Sequence, residues 1–117
     1  MKEILIVHDI LSRLGQKTNV RVWRNNTGML RSGGNKLVAF GLIGSSDIIG
    51  IVGLPSPNTD PPQPPTGRFL AIEVKTRVGI VSQNQKRFGD MITAMGGIYF
   101  VARSADDAEQ QLKSFGY

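Results

Sequence analysis

The chain has no cysteine and a single histidine, His8. The first absence excludes disulfides and thiolate metal sites and makes a reducing cytoplasm the expected compartment. The second excludes a multi-histidine zinc centre within one chain. No apolar run approaches the ~20 residues that cross a bilayer. Met1-Lys2-Glu3 is not followed by a signal-peptide core, so no membrane partner is expected. The glycine-rich stretch 29–37 lacks Walker or dinucleotide spacing, so it is not read as a nucleotide cradle and no nucleotide cofactor is expected. Aromatic residues make up only 7 %, with one tryptophan, too few for a stacking platform along a single strand. Acids are also in short supply. Nine Asp and Glu face fourteen Lys and Arg, for a net charge of +5, and that balance points towards nucleic acid. The 117 residues fit one domain, 1–117, long enough to bury a core without staples.

What is present centres on Phe69-Leu70-Ala71-Ile72-Glu73-Val74-Lys75. The composition predicts a strand, and side chains alternate faces along a strand. Leu70, Ile72 and Val74 then point one way, Glu73 and Lys75 the other. Two charges late in an apolar strand are costly unless paired, solvated or holding something. Upstream, Gly44-Ser45-Ser46-Asp47-Ile48-Ile49 opens a second apolar run on an acid. If the two strands are neighbours, Asp47, Glu73 and Lys75 converge. Two carboxylates and a lysine suit a divalent cation and the cutting of a phosphodiester.

Taken in order, residues 2–14 carry Ile4, Leu5, Val7, His8, Leu11 and Leu14 at helical spacing, which predicts a helix ended by Gly15. Glu3 lies in its first turn, where the dipole favours an anion, and is also a candidate for the site. His8 reads as a packed core residue. Val20 to Arg24 alternates as a strand, and Asn25-Asn26-Thr27-Gly28 reads as a turn. Residues 29–37, with Arg31 and Lys36, read as a mobile basic loop whose amides can meet phosphates. All six prolines fall in 54–67, which excludes a strand there and predicts a hairpin loop between the acid-bearing strands. Ser82-Gln83-Asn84-Gln85 matches a capping box, leading a helix with Phe88, Met91, Ile92 and Met95 inward. Residues 98–102 form the last strand. Ser104 caps a final helix that faces Ala108, Leu112 and Phe115 inward. The order α-β-β-β-α-β-α describes an α/β fold, a mixed α+β sheet flanked by helices.

This ordered set resembles the VRR-NUC group of the PD-(D/E)xK nuclease superfamily. The resemblance runs through Arg24 to Gly28, Gly41 to Gly50, Gly67 to Lys75, Ser82-Asn84-Gln85-Phe88 and Gly96 to Arg103. The proline-rich insert is longer than expected for the group, and Val101-Ala102-Arg103 only approximates its eponymous Val-Arg-Arg. The resemblance implies a PD-(D/E)xK restriction-endonuclease-like core and a metal-dependent endodeoxyribonuclease. Short members are associated with homodimers that resolve four-way (Holliday) junctions, which suits a reaction needing two symmetric nicks.

On this reading Asp47, Glu73 and the Val74 carbonyl hold Mg²⁺ or Mn²⁺. Lys75 orients the nucleophile and stabilises developing charge. Gln85 and Glu3 stand second, Gln85 as helix cap or as orienter of water, and Glu3 also as a further ligand. Arg24, Asn26, Arg31, Lys36, Ser46 and Arg68 are candidate DNA contacts. The dimer surface is expected on the first helix, at Ile6 and Ile10, and on the proline-rich arm. Alternatives are a flap or nicking nuclease on other branched DNA, or a non-catalytic DNA-binding module.

Overall fold

The computed structural model describes residues 1–26, 28–31, 33–34, 36–54 and 58–117, for 28–31 and 38–40 the backbone alone. Three helices, α1 (Glu3–Leu14), α2 (Gln83–Ala94) and α3 (Ala105–Ser114), flank strands β1 (Val20–Arg24), β4 (Ile48–Leu54), β5 (Thr66–Val74) and β6 (Ile98–Ala102). These strands form one mixed sheet in the order β1-β4-β5-β6, with β6 parallel to β5 and the other pairs antiparallel. The sheet and its helices follow the expected α-β-β-β-α-β-α order. Inserted between β1 and β4 is a separate two-stranded hairpin, β2 (Gly28–Arg31) and β3 (Leu37–Phe40). The expected mobile loop over 29–37 therefore has both its ends in a ladder, with Leu30 opposite Val38 and Arg31 opposite Leu37. Thr27, Ser32 and Asn35 lie outside the described residues.

Alternation divides the sheet as the strand pattern requires. Leu70, Ile72 and Val74 join Ile48, Val52, Ile98 and Phe100 in the main core under α1 and α3. Ala71 faces the opposite way, into a smaller cluster with Phe88 and Ile92 of α2. Burying Ile72, Leu70 and Ile48 completely contributes about 1.5–3 kcal/mol each.

The inward stripes of the helices differ from the expected ones. In α1 the buried residues are Ile6, Val7, Ile10 and Leu14. Leu5 is half exposed and His8 is exposed. The stripe at 6, 7, 10 and 14 fits the helical period as well as one through 5 and 8, and packing selects it. Ile6 and Ile10 are thus core residues and do not form a dimer surface. Met91 of α2 and Met95 at its C-cap turn outward while Gly89 is buried. A Cβ on Gly89 would stand 2.2 Å from the Tyr99 ring, so the glycine lets that ring lie flat on the helix. Phe115 lies past the end of α3, partly exposed and stacked on Phe100 at 6.4 Å. Both expected caps are present: Ser82 and Gln85 form a reciprocal capping box, and Ser104 Oγ accepts the Asp107 N–H.

Between β4 and β5 the chain has no regular structure over 58–65, and every residue there is exposed. A hairpin connection is thus present as expected, but it is shorter than 54–67: Leu54, Thr66 and Gly67 belong to the β4–β5 ladder, since the prolines stop short of them. Pro55, Ser56 and Pro57 lie outside the described residues. Among the described residues, no helix is long and apolar enough to cross a membrane.

Candidate functional site

The β4–β5 ladder pairs Ile48 with Ile72 as its last rung at one end of the sheet. One step further, the same register sets Asp47 opposite Glu73. Directly opposed residues have Cβ atoms about 4.5–5.5 Å apart, so two carboxylates share one spot on the α2 face. The backbone fixes both. Asp47 Oδ2 accepts the Val74 N–H at 2.8 Å. The Val74 carbonyl leaves the strand on the same side as its N–H, towards Asp47.

Glu73 is buried, 2 % exposed. Its Oε1 accepts from Gln85 Nε2 at 2.9 Å and lies 3.8 Å from Lys75 Nζ. Its Oε2 is buried without a hydrogen-bond partner. Burial pushes the Glu73 carboxyl up to about 8, and the Asp47 charge adds to this while Lys75 opposes it. Two ionised carboxylates cannot bond to each other. A proton shared between Oε2 and Asp47 can join them, and so could a cation lying between them. The orphaned oxygen, the repelling pair and the all-oxygen donor set fit a hard divalent ion. Among the described residues no third His, Cys, Asp or Glu completes a metal-holding group. Glu3, exposed at the start of α1, is close enough to raise the Glu73 pKa, but it does not make that third acid. Water and the Val74 carbonyl are left to fill the shell.

Gln85 serves both as helix cap and as a partner of the site. Its Oε1 accepts the Ser82 N–H at 2.8 Å to close the capping box, which turns Nε2 towards Glu73. Tyr99, whose hydroxyl donates to the Gln85 carbonyl at 3.4 Å, is pushed up to about 12 by burial and by Glu73.

The turn carrying Asp47 is held by Asn25, which the sequence suggests only as a turn former. Asn25 Nδ2 donates to Ser45 Oγ at 2.9 Å and to the Ser46 carbonyl at 3.0 Å, and the Asn25 N–H donates to the Asp47 carbonyl at 2.8 Å. On the other side Gly44, at φ +80, brings its backbone against α2. A Cβ there would lie 2.4 Å from the Asn84 carbonyl oxygen. Beyond Lys75, the Arg103 guanidinium donates to the Thr76 carbonyl at 2.6 Å and to that of Gly79 at 2.8 Å. The sequence signals for Asn25 and Gly44 are their place beside strand ends and within the stretches that carry the resemblance. Their partners are distant in the chain.

Asp47, Glu73, Lys75 and Gln85 are therefore brought together, with Val74 at the same strand end. The candidate DNA contacts divide. Arg24 ends β1 opposite Ile48, exposed and next to the Asp47 row, and Asn26 is exposed two residues on. Lys36 is exposed at the hairpin turn, and Arg31 closes β2, its side chain outside the described set. Ser46 is 1 % exposed, its Oγ without a partner, so its hydroxyl is shut away from a phosphate. Arg68 lies at the other end of β5, five residues or about 17 Å from Glu73. Its guanidinium is engaged by the Gly96 carbonyl at 3.0 Å. Comparison of the sequence with family models and with curated proteins returns no match.

Proposed function

We propose that the chain is a divalent-metal-dependent, structure-selective DNA endonuclease that resolves four-way junctions as a homodimer by phosphodiester hydrolysis. One observation carries this: Asp47 and Glu73 face each other at a sheet end, with Lys75 Nζ 3.8 Å from Glu73. A fold-stabilising ion pair would place one acid against one base. Here two acids oppose each other, one at a pKa of about 8, a costly arrangement that bound cations relieve.

Asp47, Glu73 and the Val74 carbonyl would hold Mg²⁺ or Mn²⁺. When bound, the ion supplies Lewis-acid activation of water and shields phosphate charge. Lys75, with its side chain 12 % exposed, presents a cation to the negative charge that develops on the phosphate oxygens. Gln85 acts as a positioning residue, because its amide is spent on Ser82 and Glu73. The +5 net charge draws the polyanion in, with Arg24 and Asn26 beside the Asp47 end of the sheet and Arg31 and Lys36 in the β2–β3 hairpin as contacts. One site per chain supplies two symmetric nicks when two copies are related by a twofold.

Labelled four-way, flap and linear duplex DNA, each incubated with and without Mg²⁺, tests the reading. The expected result is metal-dependent, paired cutting of the four-way substrate. Cutting confined to flaps would move the chain to the flap or nicking class. Tight binding with no cleavage under any divalent ion would leave a DNA-binding module.

A further inference from the structure

The α2 face of the sheet is only half covered. Helix α2 lies over Ala71 and Tyr99 through Phe88 and Ile92. Among the described residues, no helix covers the β1–β4 half of the same face. Trp23 pairs with Ile49, and Arg21 and Phe69 both pair with Ile51. Directly paired residues share a face, and Phe69 alternates in step with Ala71. Trp23, Ile51 and Phe69 therefore form one diagonal band, exposed by 52 %, 48 % and 42 %. At its foot lies an open cavity of about 670 Å³, bordered by Arg21, Ile51, Leu54 and Pro65. Scattered apolar residues on a surface need no explanation, but a contiguous apolar band running into a groove marks a docking site.

The same chain carries a segment of matching chemistry. Over 58–65 the backbone is irregular and exposed throughout, with Pro61, Pro62, Pro64 and Pro65 among its eight residues. Proline-rich segments hold an extended shape without internal hydrogen bonds and lose little entropy on docking. Their usual receptor is a groove lined by aromatic side chains. The only charge in 54–67 is Asp60, and the charged residue bordering the band is Arg21, opposite in sign, whose guanidinium donates to the Lys17, Thr18 and Val20 carbonyls at the sheet edge. We propose that the proline-rich arm of one copy docks on the Trp23–Ile51–Phe69 band of a second copy, and reciprocally, to form a twofold dimer. This rests on the homodimer proposed above and on none of its chemistry. It also assigns a role to the insert by which the chain departs from the group it resembles.

Trp23 is the chain's one tryptophan, so intrinsic fluorescence reports on the band directly. Three forms of the full chain serve: unaltered; residues 58–64 replaced by an equal length of Gly and Ser; and Ile51→Ser with Phe69→Ser. Circular dichroism checks that each is folded. Light scattering should show a dimer for the first, and dimerisation at least about tenfold weaker for each of the others. Trp23 emission of the unaltered chain should shift to the red on dilution, while the arm variant should start red-shifted. Mixing the two variants should restore a heterodimer, since one keeps its band and the other its arm. A dimer that survives both changes with unmoved Trp23 emission would overturn the docking while sparing the homodimer. A monomer whose Trp23 emission depends on the arm but not on concentration would overturn it too, by placing the arm on its own sheet. No arm of this experiment reads cleavage, so failure here is distinct from failure of the nuclease reading.

Discussion

Gln85 Nε2 donates to Glu73 Oε1 across 2.9 Å while the same amide closes the cap of α2 on Ser82. A helix terminus is thereby fastened to a buried carboxylate, and local folding and site geometry share one side chain. The two roles can be separated. Ser82→Ala should remove the cap at a cost of about 1 kcal/mol and leave cleavage within a few-fold. Gln85→Ala should cost more in stability, since it also leaves Glu73 Oε1 without its donor, and should lower cleavage at least about tenfold. Thermal melts and initial rates on the same preparations check both.

Lys75→Ala should abolish cleavage while leaving DNA affinity within about tenfold, or 1.4 kcal/mol. The ammonium lies at the carboxylate pair, whereas affinity is expected from the outer basic residues. Binding measured in Ca²⁺ beside cleavage in Mg²⁺ reads the two separately. Full activity of the variant would remove Lys75 from the mechanism.

The Glu73 carboxyl, raised to about 8 in the fold, titrates near 4.3 when unfolded. Folded protein therefore binds more protons than unfolded protein between these values. The Glu73 contribution is fully present below about pH 4 and is lost as pH rises towards 8. Glu73→Gln should stabilise the metal-free protein at pH 8, on the order of 2 kcal/mol, and do little at pH 4. Added Mg²⁺ should stabilise the unaltered chain more at pH 8 than at pH 6, because the ion competes with the proton. Melting curves across pH, with and without Mg²⁺, decide this.

Much of this site is legible in the sequence because its logic is short-range. The Glu73-x-Lys75 spacing puts both charges on one face through the period of two, and Asp47 needs only strand adjacency to join them. What the sequence conceals is long-range or degenerate. The apolar residues of α1 fit the helical period with either Leu5 or Ile6 inward, and only the packing against β5 and α3 chooses Ile6. The glycines and polar residues of 31–36 hide the β2–β3 ladder, whose strands are four residues each. Ser46 has the composition of a surface turn residue, yet the Asn25 bonds draw its backbone inward. Nothing local in Asn25-Asn26 says which of the two asparagines is structural.

Asn25→Ala follows from that last point. It removes the side-chain bonds to Ser45 and Ser46 and should cost about 1–2 kcal/mol, with cleavage falling at least about tenfold through misplacement of Asp47. Asn26→Ala, at the exposed neighbour, should leave stability unchanged. A reversed order between the two would break the assignment of Asn25 as the anchor.

Replacing Arg31 and Lys36 together should weaken binding to all DNA about equally. The log–log salt slope should fall by ~0.9 for each phosphate that the variant no longer neutralises. Titrations at several salt concentrations measure it, and an unchanged slope would point the β2–β3 hairpin away from the duplex.

Strands β4 and β5 run the length of the sheet between Asp47 and the proline-rich segment. At seven residues, β4 alone sets the two ends about 23 Å apart. Because β4 leaves the carboxylate end and β5 returns to it in fixed antiparallel register, residues added or removed at the far turn do not shift Asp47 against Glu73. Hairpin tips of this kind are permissive ground for insertion. The far turn can lengthen, shorten or be exchanged for a foreign sequence while the carboxylate end keeps its alignment. On the proposed reading, assembly can thus be altered independently of cleavage.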